Sequence, residues 1–211
     1  MKIAKYGHCC LLIEENGLRI LTDPGAYSSG QSEARGVDVV LITHEHADHL
    51  HMDSLLEVLK NNPAAKVVTN TAVGKLLSEA GIEFSILEHG QSREFGGILF
   101  EGFGDQHAEI YQKLWLVQNT GYFIGNKLFY PGDALTNPGK PVEVLALPVA
   151  GPWLRISESI DYAKTLKPKT CFPVHDGMFK NPNTFAAIFE KVLGEAAIKF
   201  QILEEAKETE V

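Results

Sequence analysis

Val37-Asp38-Val39-Val40-Leu41-Ile42-Thr43-His44-Glu45-His46-Ala47-Asp48-His49-Leu50 is the stretch on which the reading of this chain turns. Its first half is a continuous apolar run rather than an alternating one, the pattern of a strand buried on both faces. Its second half packs three imidazoles and a carboxylate into six residues, His44 to His49. A strand that runs into such a loop presents polar groups at a sheet edge, where a cleft can open. Imidazole and carboxylate together suit zinc, manganese or iron. In an extended loop His44 and His46 point the same way and can chelate one ion. Asp48 and His49 lie where the chain turns toward a helix and can reach a second.

Six residues cannot close two metal sites, so further ligands are expected elsewhere, and the candidates all sit at strand ends. His107 follows the strand-like Ile98-Leu99-Phe100-Glu101-Gly102-Phe103. Asp133 closes Phe129-Tyr130-Pro131-Gly132-Asp133, and His175 sits in Cys171-Phe172-Pro173-Val174-His175-Asp176-Gly177. Loops at strand ends are where a rigid sheet positions a site.

His-x-His-x-Asp-His, then a lone His, an Asp after Gly and a late His resembles the metallo-β-lactamase superfamily, and the resemblance spans most of the chain. It implies one metal on His44, His46 and His107, a second on Asp48, His49 and His175, and Asp133 bridging them. It also implies that Asp23, in Leu21-Thr22-Asp23-Pro24-Gly25, supports the metal loop, and that His8 lies near the metals as a supporting or substrate-facing group. The short length and the early Gly7-His8 resemble, within the superfamily, small bacterial hydrolases related to L-ascorbate-6-phosphate lactonase. The fold implied is an αββα sandwich of two mixed sheets flanked by helices. The residue pattern alone says α/β or α+β.

The pattern along the chain fits that architecture. Strand-like segments open it at Lys2–Tyr6, Cys9–Leu12, Leu18–Leu21 and Val37–Ile42, with Asn16-Gly17 as a hairpin turn. Helices are expected from His51 to Lys60 and from Thr71 to Ala80, the second closed by Gly81. Strands are expected at Lys66–Val68 and Phe84–Leu87, and Glu94 to Tyr130 reads as all β, with turns at Gly96-Gly97, Asn119-Thr120-Gly121 and Gly125-Asn126. Val142–Leu147 reads as a buried strand, then a helix from Ser157, its N-cap, to Leu166. The strand Thr170–Val174, a helix from Asn183 to Leu193 and a last strand Ile198–Leu203 complete the order, and the charged tail from Glu204 reads as a frayed end. No linker, repeat or low-complexity stretch divides the chain, so residues 1–211 are read as one domain.

Composition sets bounds. The 211 residues are 45% hydrophobic and 22% charged, with net charge −8 from 19 basic and 27 acidic residues. Lys and Arg are scattered and form no stripe of the kind nucleic-acid binding uses. No apolar run approaches the roughly 20 residues needed to span a bilayer. Met1-Lys2-Ile3-Ala4-Lys5 has no signal-peptide core, and the three cysteines form no framework, so the cytoplasm is the expected location. Cys9 and Cys10 should face opposite sides of a strand, and all three cysteines are expected in core packing. His51, on the next helix, is read as solvent-facing or a cap, and His89 as part of a turn.

Two divalent cations, zinc by first expectation with manganese or iron as alternatives, would supply a nucleophile from water at neutral pH and stabilise a leaving group. The reaction class is hydrolysis of a small ester, lactone, amide or phosphodiester, and Asp48, Asp133 and His8 are the expected catalytic group. Trp153 and Arg155, in Pro148-Val149-Ala150-Gly151-Pro152-Trp153-Leu154-Arg155, are candidate substrate contacts: an apolar wall, and a partner for a phosphate or carboxylate. Tyr111 and Trp115 are weaker candidates near His107. The expected partner is a small, anionic molecule, and self-association is left open. Two rival readings stand beside the hydrolase: a mononuclear or di-iron redox protein, disfavoured by the retained His46, and a non-catalytic metal-binding protein.

Overall fold

The computed structural model describes residues 1–114, 116–181 and 183–211. Among them are fourteen strands and four α-helices. The first half comprises β1 (Lys2–Lys5), β2 (Leu11–Glu15), β3 (Leu18–Thr22), β4 (Val39–Leu41), α1 (Met52–Asn61), β5 (Lys66–Thr69), α2 (Thr71–Glu79) and β6 (Phe84–Ile86). The second comprises β7 (Ser92–Phe95), β8 (Ile98–Phe103), β9 (Gly121–Ile124), β10 (Leu128–Tyr130), β11 (Val144–Pro148), α3 (Ile156–Leu166), β12 (Thr170–Val174), α4 (Ala186–Gly194), β13 (Lys199–Phe200) and β14 (Thr209–Glu210).

These strands make two seven-stranded mixed sheets, ordered β14-β1-β2-β3-β4-β5-β6 and β13-β12-β11-β10-β9-β8-β7. The continuous apolar runs explain the layering, because successive side chains leave a strand on opposite faces. From β2, Leu11 and Ile13 enter the core between the sheets, while Leu12 joins the layer shared with Leu55 and Val58 of α1 and Val73 and Leu77 of α2. From β11, Val144 and Ala146 enter the same inter-sheet core. Leu145 and Leu147 pack instead with Ile160 of α3 and Phe189 of α4. Each sheet is therefore buried on both faces, which is the αββα sandwich. Cys9 and Cys10 do face opposite layers, and Cys171 packs in the outer layer of the second sheet.

The Asn16-Gly17 hairpin forms as read. Glu15 pairs with Leu18, and both turn residues have positive φ (48° and 83°), as a two-residue type I′ turn requires. Several local readings need correction. Strand β2 begins at Leu11, because Gly7 to Cys10 form a turn closed by Cys10 N–H on the Gly7 carbonyl. Among the described residues between Phe103 and Gly121 there is no named strand, and His107 lies there outside any strand or helix. The N-cap of α3 is Arg155, not Ser157, with Glu158 Oε2 accepting the Arg155 backbone N–H at 2.8 Å. Helix α4 starts at Ala186 rather than Asn183, and the expected strand after Ile198 is only Lys199–Phe200. The tail is not frayed: Thr209 and Glu210 pair with Ile3 and Lys2 and extend the first sheet. No helix among the described residues is long and apolar enough to cross a membrane.

Candidate metal centre

The metal loop leaves β4 at the edge of the inter-sheet core, and its shape is enforced from below. Asp23, wholly buried after β3, accepts Thr43 N–H at 2.8 Å and Thr43 Oγ1–H at 2.7 Å. The same carboxylate lies 2.7 Å from His49 Nδ1 and accepts the Tyr130 hydroxyl. The next turn must pass against the loop backbone. A Cβ on Gly25 would sit 1.8 Å from the Asp48 carbonyl oxygen, so only glycine fits there. On the facing sheet, Gly132 has φ 64°, and a side chain there would meet Asn119 Oδ1 at 2.4 Å. Asn119 instead accepts the Asp133 N–H at 3.0 Å and donates to the Pro131 carbonyl at 2.9 Å.

The result gathers all seven expected ligands. His44, His46, His107 and Asp133 each offer a donor atom within 4.8 Å of the others. His49, His175 and Asp48 form a second such group, together with His8. Asp133 stands between them: one oxygen is 3.0 Å from His49 Nε2, and the other lies 2.8 Å from His175 Nε2 and 3.3 Å from His107 Nε2. None of these approaches is a hydrogen bond. The Nε2 atoms of His44, His49, His107 and His175, and Asp133 Oδ1, are buried without a hydrogen-bond partner. Buried polar atoms are almost always satisfied. Four unsatisfied imidazole nitrogens converging on one carboxylate, itself with an unsatisfied oxygen, are what metal ions would satisfy, so the residues fit the group that the sequence implies. Backbone strain accompanies the cluster: His8, Asp23 and His175 all have positive φ (44°, 33° and 61°), a conformation uncommon outside glycine.

The electrostatics divide the cluster: burial works against charging His49 and His175, but the charge of Asp133 outweighs it, holding the first well above the usual imidazole range and pushing the second up to about 10. Burial holds His44 well below the usual imidazole range, leaving a neutral ring with a free lone pair. Burial works against ionising Asp48, but the nearby His175 and the hydrogen bond from His8 outweigh it and keep the carboxyl well below its ordinary range. Asp133 is held ionised in the same way, the histidines around it outweighing burial. The outer nitrogens are tied down too, which fixes ring orientation at metal sites. His44 Nδ1 lies 3.0 Å from Thr43 Oγ1, and His107 Nδ1 lies 2.5 Å from the Ala108 carbonyl.

His8 is fully buried and does not line the cleft above the donors. Its Nδ1 accepts the Gly177 N–H at 3.1 Å, so the hydrogen sits on Nε2 and is donated to Asp48 Oδ2, also at 3.1 Å. Burial pushes its pKa down to about 4, against the pull of that hydrogen bond. His8 therefore acts on Asp48 rather than on anything in the cleft. Trp153 does line the cleft, and it does more than form a wall: its indole N–H donates to Asp133 Oδ2 at 3.0 Å. Arg155 is exposed and lines a shallow neighbouring groove with Glu109 and Glu158, not the cleft itself. Tyr111 is 63% exposed, and Trp115 lies outside the described residues. His51 caps α1, and His89 Nδ1 accepts the Gly104 N–H.

Sequence reasoning passed over Thr43, Asn119 and Tyr130, whose side chains brace the loop and its carboxylates. Asn119 lay in a stretch read only as a turn, and nothing in the sequence separated it from an ordinary turn asparagine. It also gave Cys9 a packing role alone, whereas its sulfur lies within 4.8 Å of donors on His49 and Asp133. Below His175, Lys5 Nζ reaches both oxygens of Asp176 at 2.6 Å and the Pro173 carbonyl at 2.9 Å, a buried ion pair that ties β1 to the loop after β12.

Comparison with known proteins agrees with this geometry. Residues 2–175 match the family described as the β-lactamase superfamily domain. Protein Rv0786c of Mycobacterium tuberculosis is 32% identical over 210 residues, covering 97% of each chain. A UPF0173 protein of Pyrococcus furiosus is 30% identical over 203 residues, with 90% of this chain and 91% of that protein covered. A relative from Geobacillus thermodenitrificans, named a UPF0173 metal-dependent hydrolase, is 27% identical, covering 93% and 96%. Among solved structures, Igni18, a metallo hydrolase from Ignicoccus hospitalis, superposes with a TM-score of 0.79 at 21% identity, covering 100% of this chain and 98% of that one. The chain belongs to the metallo-β-lactamase superfamily and, within it, to the UPF0173 metal-dependent hydrolase family.

Proposed function

We propose that this protein is a dinuclear metal-dependent hydrolase of a small ester, lactone or phosphodiester. The observation that carries the reading is the set of buried, unsatisfied donor atoms converging on Asp133 at the base of the cleft. His44, His46 and His107 would hold one ion, and Asp48, His49 and His175 the other. Two divalent ions held there supply activated water, polarise the electrophile's oxygen and take up charge on the leaving group. The ligands are nitrogen and oxygen only, which zinc, manganese and iron all accept. The charge of Asp133, which faces histidines of both groups, would offset the repulsion between two cations held there. His8, through its Nε2–H, fixes which Asp48 oxygen stays free. Trp153 holds Asp133 from the cleft side and keeps bulk water off it. We place the protein beside the hydrolases related to L-ascorbate-6-phosphate lactonase, on the strength of the early Gly7-His8 pair and the short chain.

The test is elemental analysis of the protein, as purified and after reconstitution with zinc or manganese, beside activity on a panel of phosphodiesters, phosphomonoesters, lactones and thioesters. Close to two ions per chain and activity lost to a chelator are expected. One ion or none after reconstitution would overturn the dinuclear assignment. Two ions with no hydrolysis across the panel would favour a metal-binding protein without this activity.

A further inference from the structure

Above the donor cluster lies a cleft of about 600 Å³, within the range of roughly 300–1,000 Å³ common to small-molecule sites. Apart from the donor side chains, its walls are Tyr27, Ala47, Ile110, Pro152, Trp153 and Met178. No lysine or arginine is among the described residues that line it. We infer that the substrate is a neutral carbonyl ester or lactone with an apolar body, and not a phosphorylated or otherwise anionic small molecule. The inference rests on the hydrolase reading above and narrows it to a substrate class.

Three observations favour it. Tyr27 and Met178 stand at the cleft 55% and 41% exposed, and apolar surface grouped beside a reactive cluster marks a place where apolar matter binds. A phosphate tail away from the metals would need arginine or lysine donors to replace its water, and the cleft walls provide none. The cations in the adjoining grooves are outnumbered by carboxylates: Arg155 lies with Glu109 and Glu158, and Lys5 and Lys180, in a groove that shares Tyr27 with the cleft, lie with Asp176, Glu204 and Glu205. The kinship with the lactonase group then extends to the bond cleaved and not to a phosphate on the substrate. The reaction consumes only water: its hydroxyl joins the acyl carbon, the acyl carbon–oxygen bond breaks, and the departing oxygen takes the proton.

The experiment uses the full chain reconstituted with metal and quantified for metal content. Its substrates are 4-nitrophenyl acetate, butyrate, hexanoate and octanoate beside 4-nitrophenyl phosphate and bis(4-nitrophenyl) phosphate. The inference expects kcat/KM to climb with acyl length by up to about fourfold per methylene buried, and to exceed the values for both phosphate esters. Met178→Lys, at an exposed position, and Met178→Gln should flatten the climb while metal content stays at the wild-type value. A second readout is equilibrium binding of the neutral fluorophore N-phenyl-1-naphthylamine, which Met178→Lys should weaken about tenfold. A flat length series, or preference for either phosphate ester by a fully loaded protein, overturns the apolar-substrate inference and leaves the hydrolase reading standing. A fully loaded protein that hydrolyses none of the six overturns both.

Discussion

The two donor groups that share Asp133 are built differently. The first, His44, His46 and His107, is made of imidazoles alone, and two of its members are braced, His44 by a hydroxyl and His107 by a backbone carbonyl; His46 is half-buried. The second contains an anionic member, Asp48, and two of its members are braced, Asp48 by His8 and His49 by the buried Asp23, a carboxylate that also holds Thr43; His175 Nδ1 has no hydrogen-bond partner. Charge, and not the number of braces, is thus what differs between the two sides of the shared carboxylate. Loss of a charged brace on the second side should be felt more than loss of a neutral one on the first.

The largest effect should come from removing what the groups share. Asp133→Ala should lower kcat by on the order of a thousandfold, the upper end of losses seen when a main electrostatic element of a site is deleted. Metal analysis should show both positions weakened. Asp48→Ala should separate the groups: a folded protein by circular dichroism, about one ion retained, and kcat down by roughly a hundredfold or more. Two ions and near-normal turnover in that variant would make Asp48 a structural residue and bring the one-iron redox reading forward.

Smaller changes sharpen the contrast between the braces. Asp23→Asn keeps the size of the side chain but removes the charge facing His49. Loss of such a partner behind a metal-ligating histidine costs about 10–100-fold in affinity or activity, and competition with a chromogenic chelator should place the loss on one of the two ions. Equal weakening of both would contradict the asymmetry. The mildest should be His8→Asn. Asparagine tolerates the left-handed backbone that His8 adopts, but it is too short to reach Asp48. About tenfold weaker binding of one ion is expected, the low end of the same range, with KM little changed because His8 does not line the cleft. A rise in KM alone would mean that His8 meets the substrate after all.

The hardest parts to foresee were those where local pattern and tertiary need diverge. The stretch from Gly104 to Thr120 has β-like composition, yet its described residues form no named strand; around His107 they are held instead by His107 N–H on the Val117 carbonyl and Ala108 N–H on the Asp133 carbonyl. The tail from Glu204 looks disordered by charge, yet its end adds a strand to β1, a long-range pairing that no local window reveals. Arg155 has the chemistry of an anion contact and the position of a helix cap, and only packing shows that it faces the neighbouring groove.

The sequence by itself determined the candidate donor residues and the two-faced burial of the strands, whereas the αββα layering followed from the family resemblance, the residue pattern alone saying only α/β or α+β. Ligand spacing and hydrophobic period are local properties that need no knowledge of the rest of the chain. Tertiary structure decided what surrounds those donors. It brought Asp23, Tyr130 and Asn119 beneath the loop, turned His8 inward onto Asp48, gave Trp153 a hydrogen bond to Asp133 and left the cleft walls apolar. Those relations join residues up to 107 positions apart, as in the Tyr130–Asp23 pair, and come into being only when the two sheets close on each other.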